Sequence, residues 1–175
     1  SEHFAALAEK IQEKWRLPVV VTGSQKDGPL FEAFMSKVRQ AKIISLVGKT
    51  GLRVSAAIYQ HAACLVTGDS GPMHIASGVG APVIALFGPT DPKLTGPRGR
   101  GESLVLQYIP PGYTVPFLGK DLPEEGWLSK ITPDQVWDAV ERILSHSLLK
   151  KSKVNGTSPG NLLRKETGCQ GLNKT

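Results

Sequence analysis

Residues 64–88, CLVTGDSGPMHIASGVGAPVIALFG, decide the fold. "CLVTG" and "APVIALFG" are continuous apolar runs rather than alternating ones, the pattern of strands covered on both faces and so of a parallel sheet. Between them, "PMHIASGVG" predicts a short helix. Ser70 stands at its N-cap and Pro72 at the first helical positions, where serine and proline are favoured.

The same alternation continues outward. Residues 2–16 place Phe4, Leu7, Ala8, Ile11 and Trp15 at helical spacing. "LPVVVTG" is then a short strand, "PLFEAFMSKVRQ" a helix, "KIISLVG" a strand, and "TGLRVSAAIYQHA" a helix with Thr50 as its N-cap. Strict alternation predicts an α/β protein, a Rossmann-like parallel sheet with right-handed crossovers and helices on both faces. Residues 89–130, with seven prolines and many glycines, break the rhythm around one strand, "SLVLQYI". Order returns in "ITPDQVWDAVERILSHSLL", where Thr132, Pro133 and Gln135 spell a capping box with proline at the first helical position.

Length and composition bound the rest. The 175 residues suit one domain of ordinary size, 40% hydrophobic and 21% charged, as in a globular protein. No apolar run reaches the ~20 residues of a membrane helix, and the first residues lack a signal-peptide layout. Cys64 and Cys169 do not make a disulfide framework, and a reducing, cytoplasmic compartment is expected. Of the net +6, five charges come from Ser147 onward, so the folded part has no basic stripe and no nucleic-acid partner is expected. The division expected is residues 1–146 as the folded domain and 147–175 as a basic flexible tail.

Sheets of this kind bind ligands at the carboxyl ends of their strands. Four loops qualify: 22–27, 48–50, 68–71 and 87–92. "GDSG" with "HAAC" upstream mimics trypsin-like proteases, but those are all-β and carry their histidine far from the serine. His74 has no acid placed to orient it, and Gly68–Pro72 is not a G-x-S-x-G elbow, so a nucleophilic Ser70 is the weakest reading. "GKT" is not a P-loop, because Ile43 stands where that motif needs glycine. No metal-ligand spacing is present, and no cofactor is expected.

The Asp69–Ser70–Gly71 turn suits an anion instead. A helix N-terminus offers unpaired N–H groups and partial positive charge, and Gly71 permits close approach. His74 donates to a phosphate oxygen or a sugar hydroxyl in this reading, while Asp69 faces a sugar hydroxyl or a neighbouring backbone amide. The residues alone equally allow a structural turn with His74 as a core histidine.

The wider pattern, Asp69, Ser70, Gly71, His74, Ala76, Gly80, Pro82, Gly88, Thr90 and Pro92, resembles the signature of glycosyltransferase family 9, the lipopolysaccharide heptosyltransferase family. The resemblance spans about residues 1–145. It implies the donor-binding half of a two-Rossmann-domain inverting enzyme, which moves a sugar from a nucleotide-diphosphate donor, ADP-heptose, to a lipopolysaccharide core acceptor without metal. The implied donor contacts are Thr22, Gly23, Ser24, Asp27, Gly48, Lys49, Thr50, Asp69, Ser70, Gly71, His74 and Thr90. Asp27 is the ribose or adenine candidate. Family members begin this half with a strand and a glycine loop leading to a lysine, ahead of the first helix here, and place the catalytic base in a preceding acceptor domain. Neither is in this sequence, and neither is the family's cysteine-rich stretch before the last helix. The chain is therefore expected to bind donor but not to turn over alone, with a place at the inner face of the inner membrane and peripheral membrane contact as further expectations. A non-catalytic nucleotide-sugar-binding module or a truncated inactive fragment is the alternative.

Overall fold

The computed structural model describes residues 2–115 and 126–155, and for 148–155 the backbone alone. The elements run α1 (Glu2–Trp15), β1 (Val19–Val21), α2 (Gly28–Met35), β2 (Ile43–Ser45), α3 (Leu52–His61), β3 (Leu65–Gly68), α4 (Gly71–Gly78), β4 (Val83–Phe87), α5 (Pro92–Thr95), β5 (Ser103–Gln107) and α6 (Pro133–Asn155), with single 3-10 turns at Gln25–Asp27 and Leu128–Lys130. Every strand pair is parallel. The Rossmann-like alternation read from the sequence is the fold observed.

One departure matters for the site. The strands form two separately hydrogen-bonded sheets, β1–β2 and β3–β4–β5, rather than one. In the second, β4 is buried throughout. Its Val83, Ala85 and Phe87 enter a cluster with Tyr59 of α3 and Met73 and Ala76 of α4. Its Ile84 and Leu86 enter another, with Leu7 of α1 and Val140 and Ile143 of α6. Helices thus cover both faces, α1 and α6 on one and α3 and α4 on the other, as continuous apolar strands require.

The β1–β2 sheet is covered on one face only. Val19, Val21 and Ile43 meet Ala5 and Ala8 of α1 and Phe34 of α2, whereas Val20 and Ile44, turned to the opposite face, are 39% and 49% exposed. The expectation of two covered faces fails here.

Helix α1 is fastened to both parts. Glu9 accepts the backbone N–H groups of Arg39 and Gln40 at 2.7 and 2.9 Å, and Gln12 bonds both the N–H and the C=O of Lys42. The N–H of Gln40, followed by other backbone amides, holds the Glu9 carboxyl below its ordinary value. Along its other flank, Lys10 pairs with Asp134 at 3.0 Å and Lys14 with Glu141, both on α6.

Several local expectations resolve differently. The helix after β2 is capped by Gly51, not Thr50, whose hydroxyl instead meets Ser55 Oγ at 2.9 Å. Helix α2 ends at Met35 rather than running on to residue 40. The capping box of α6 forms as read: Thr132 N donates to Gln135 Oε1 at 2.8 Å, and Gln135 N to Thr132 Oγ1 at 3.3 Å. That helix continues to Asn155, so residues 147–155, read as the start of a flexible tail, are helical. The remainder of the expected tail, Cys169 included, lies outside the described residues. After α5 the chain crosses the end of α4 so closely that a Cβ on Gly99 would stand 1.9 Å from Ser77 O, and one on Gly101 2.4 Å from Ala81 O. Only glycine fits at such contacts.

Candidate functional site

The site is built from the turns that follow the strands, and these fall into two pairs. After β1, the chain enters the 3-10 turn through Ser24. Ser24 N and Oγ both donate to Asp27 Oδ2, at 2.6 and 2.7 Å. These bonds stabilise the charged form, so the Ser24 hydroxyl first and its N–H second hold the Asp27 carboxyl below the ordinary carboxylate value. Gly23 sits against the same side chain, where a Cβ would stand 3.1 Å from Asp27 Oδ2. Asp27 is exposed, with Oδ1 unengaged by these bonds.

The turn after β2 closes on the first one. Gly48, with φ +70°, donates its N–H to Gly23 O at 2.9 Å. Its conformation is left-handed, which costs a side-chain-bearing residue roughly 1–2 kcal/mol. Lys49 is exposed, and its Nζ reaches back to Ser45 O at 3.3 Å. Thr22, the first residue past β1, sends its hydroxyl to Tyr59 Oη of α3 at 2.8 Å, away from the Ser24–Asp27 turn.

The second pair lies past β3 and β4. Ser70 is the N-cap of α4 in extended conformation, φ −158° and ψ 170°. Its hydroxyl makes no capping bond. It donates to Gly68 O and meets Thr67 Oγ1, each at 3.2 Å. The position was legible from the sequence, but the side-chain cap expected there does not form. The helix therefore opens with the Gly71 N–H at a position that has no intrahelical acceptor. No histidine bonds Ser70 Oγ, which removes the geometric basis of a Ser–His nucleophile.

His74, one turn into α4, is exposed while Met73 and Ala76 on either side of it are fully buried. It is not a core histidine. Asp69 accepts the hydroxyl of Thr95 on α5 at 3.0 Å, a protein side chain rather than the backbone amide or sugar hydroxyl expected. The fourth loop is pinned by Gln107 at the end of β5. Its side-chain amide donates to Gly88 O at 2.9 Å and Thr90 O at 2.8 Å. Asp91 caps α5 through Lys93 N at 2.8 Å.

The structure thus joins Gly23, Ser24, Asp27 and Gly48 in one assembly and Asp69, Ser70, Gly71, Thr90 and Thr95 in another. No hydrogen bond among the described residues runs between these turns directly. The link passes through Thr22 and Tyr59, because Tyr59 is buried with Met73 and Ala76 beneath α4.

Two features were not singled out from the sequence. Gln107 had no signal beyond its place at a strand end. A cavity of about 410 Å3, lined by Tyr108, Pro110, Gly126, Trp127, Ser129 and Lys130, opens beyond β5. It borders the fourth loop, since Trp127 Cβ is 3.6 Å from where a Cβ of Gly88 would stand. Tyr113 packs edge-on to Trp127, centroids 4.5 Å apart. Among the described residues, no group of His, Cys, Asp or Glu could hold a metal ion, and no helix is long and apolar enough to cross a membrane. Burial pushes the Cys64 thiol up to about 11, so it is protonated near neutral pH.

Comparison with known proteins extends the picture. The family model described as glycosyltransferase family 9 (heptosyltransferase) matches residues 1–112. Lipooligosaccharide heptosyltransferase 2 of Haemophilus ducreyi is 31% identical over 151 residues, which cover 82% of this chain and 42% of that protein. Lipopolysaccharide heptosyltransferase 2 of Salmonella typhimurium is 32% identical over 150 residues, 82% of this chain and 41% of the relative. Among solved structures, a family 9 glycosyl transferase from Veillonella parvula aligns with TM-score 0.72 and 29% identity over 83% of this chain and 41% of its own. The E. coli ADP-heptose lps heptosyltransferase II aligns with TM-score 0.68 and 29% identity over the same shares. The chain spans about two fifths of the length of the relatives it matches.

Proposed function

The chain belongs to glycosyltransferase family 9, and we propose that it forms the donor-binding half of a heptosyltransferase that takes its sugar from a nucleoside-diphosphate donor, ADP-heptose, and passes it to a lipopolysaccharide core acceptor. The observation that carries this reading is the amino end of α4. Its first N–H has no partner among the described residues, the Ser70 hydroxyl is turned back onto Gly68 O, and His74 is exposed one turn along. A diphosphate there would meet the Gly71 N–H, the positive end of the helix and a histidine donor together.

As the glycosidic bond of the donor breaks, negative charge grows on the departing diphosphate. A fixed N–H and helix dipole favour that charge more than the ground state, which lowers the barrier. Asp69 is held beside this position by Thr95 through Oδ2, and its remaining oxygen suits a sugar hydroxyl. The Ser24–Asp27 turn would take the nucleoside, with Asp27 Oδ1 open to a ribose hydroxyl and Oδ2 already committed. Gly48, Lys49 and Thr50 border it. The acceptor's base is proposed to come from the part of the longer protein that this chain does not include, and contact with the membrane face to follow from the lipid-linked acceptor.

Calorimetric titration with ADP, ADP-heptose and a UDP-sugar tests the assignment. His74→Ala should weaken ADP binding about tenfold, the loss of one hydrogen bond to a charged group, and leave folding unchanged because the side chain is exposed. Gly71→Val should weaken it further by crowding the N–H. Folded protein that binds none of the three ligands rejects the reading. Equal affinity in wild type and both variants moves the diphosphate away from α4.

A further inference from the structure

We propose that Thr95 and Gln107 are positioning residues for the sugar of the donor. Together they lock α5 as a strut that holds one carboxylate oxygen of Asp69 and leaves the other as a fixed acceptor for a sugar hydroxyl. The sugar clause rests on the proposed function; the strut does not.

Helix α5 has little reason of its own to be a helix. Its four residues make a single turn, far short of the ~12 at which an isolated helix becomes even marginal in water. Packing normally makes up that deficit, yet none of its residues is buried, and Leu94 is 44% exposed. A turn with no apolar anchorage should fray.

Polar bonds hold it instead, from both ends. At the start, Asp91 Oδ1 accepts Lys93 N at 2.8 Å, and Asp91 O accepts Leu94 N and Thr95 N at 3.0 and 3.1 Å. At the finish, Gly96 N donates to Pro92 O at 2.9 Å, and a Cβ on Gly96 would stand 2.2 Å from that oxygen, so no side chain fits there. Arg98 then reaches back to Lys93 O and Leu94 O, at 2.9 and 3.2 Å, two carbonyls that a single turn leaves without intrahelical partners. Ahead of the turn, Gln107 Nε2 carries two hydrogens and takes one carbonyl with each, Gly88 O and Thr90 O. That fixes the backbone leading into Asp91.

What this turn delivers is one hydroxyl. Among the described residues, the only side-chain hydrogen bond that leaves α5 for another element runs from Thr95 Oγ1 to Asp69 Oδ2, at 3.0 Å. An aspartate carboxylate otherwise turns easily about its last bond. With Oδ2 held, that rotation stops, and Oδ1, which makes no hydrogen bond among the described residues, presents its lone pairs in a set direction.

Asp69 directly precedes Ser70 and Gly71, the turn assigned to the donor diphosphate, and the group attached to that diphosphate is the sugar. A hydroxyl that meets a directed carboxylate oxygen makes a charge-assisted bond. A sugar that lacks the hydroxyl, or points it elsewhere, leaves the carboxylate without a partner and is disfavoured. A carboxylate free to swing would accept hydroxyls at many positions and discriminate less. Thr95 therefore sets the direction, and Gln107, which bonds neither Asp69 nor the turn before α4, sets Thr95. The contacts proposed for the nucleotide, the Ser24–Asp27 turn and the Gly71 N–H, have no hydrogen bond to α5 among the described residues. Both residues should thus act on the sugar and leave the nucleotide alone.

Calorimetry with ADP and ADP-heptose on the 175-residue chain separates the two, because the ratio of the affinities is the sugar's share. Thr95→Val keeps the shape of an exposed side chain and removes its hydroxyl. It should lower that ratio about tenfold, the loss of one hydrogen bond to a charged group, with ADP affinity unchanged. Thr95→Ser keeps the hydroxyl and should restore the ratio. Gln107→Glu sets a carboxylate against two carbonyls and should lower the ratio in the same direction. Gln107→Leu removes the amide without adding charge and should do the same. Either one added to Thr95→Val should lower it no further, since both residues act along one path. Backbone amide exchange gives a readout free of ligand. In both Gln107 variants the Gly96 N–H should exchange on the order of tenfold faster, while the Val83 N–H, bonded to Glu102 O at the other end of β5, should not change.

An unchanged ratio in Thr95→Val, or ADP affinity that falls as far as that of ADP-heptose, overturns the positioning role. Additive losses in the double variants, unchanged Gly96 exchange, or equal acceleration at Val83 overturns the part given to Gln107. A wild-type chain that binds neither nucleotide, with Gly96 exchange raised as expected, rejects the donor-site reading and the sugar clause with it, while the strut stands.

Discussion

The two sheets are made from similar apolar strands and end in similar glycine turns, yet they stand very differently. In β3–β4–β5 the central strand is sealed on both faces, and Ile84, Ala85 and Phe87 have no exposed surface. In β1–β2 every strand residue keeps some, and Val20 and Ile44 keep a great deal. An apolar run is a statement about what a strand can bury, not about what covers it. The amino end of α4 is therefore founded on the protein's main core. The Ser24–Asp27 turn rests on a two-stranded ribbon tied to α1, α2 and one tyrosine hydroxyl.

The sharpest way to break this contrast is to hollow each sheet in turn. Phe87→Ala should cost about 3–5 kcal/mol, since it removes a fully buried ring at the junction of α3, α4 and β4. Ile44→Ala should cost well under about 1 kcal/mol, because half of that side chain already meets water. Chemical denaturation on both variants, with unchanged slopes, checks the pair. Similar losses would mean that the β1–β2 sheet is as much a part of the core as β4.

How much of this was readable beforehand follows the same division. The parallel alternation, the α6 capping box and the position of Ser70 depend on local residue types, and the sequence carries them openly. The departures each involve a competing partner, near in the chain for Thr50 and Ser70 and distant for Thr22 and Gln107. Thr50 reads as an N-cap until Ser55 claims its hydroxyl and Gly51 takes the position. Ser70 reads as a side-chain cap until Gly68 O and Thr67 compete for it. Thr22 reads as a donor contact, and its hydroxyl also meets Tyr59, 37 positions away, a pairing the sequence does not signal. Gln107 is invisible because its work is to hold the carbonyls of Gly88 and Thr90, which strand pairing alone brings near. The break between the sheets had no local signature either, since every strand on both sides of it reads alike.

A smaller effect probes the joint between the first two turns. Gly48→Ala forces a side chain into the left-handed region and sets its Cβ 3.3 Å from Gln25 Cα. It should cost roughly 1–2 kcal/mol locally, and the exchange protection of the Gly48 N–H bonded to Gly23 O should fall with it. The amide of Thr67, inside the other sheet, should not change. Loss at both would show that the two halves already move as one body.

The gentlest perturbation is a proton. Asp27 is held below its ordinary value by Ser24, so its contribution to the turn is present above the unfolded carboxylate range, near pH 4, and is lost as pH falls through the lower folded value. Ser24→Ala keeps the N–H bond at 2.6 Å and deletes the hydroxyl bond. The Asp27 titration, followed by carboxyl carbon chemical shift, should move up toward the usual range without reaching it, as the remaining N–H still favours the charged form. Global stability should barely respond, because the turn lies outside all three apolar clusters. Nucleotide affinity should respond instead, since Asp27 Oδ1 is aimed by the bonds that fix Oδ2. A titration that moves while ADP affinity does not would leave the turn well ordered but place the ribose elsewhere, and the β1–β2 ribbon would then matter to the site only through Gly48 and Lys49.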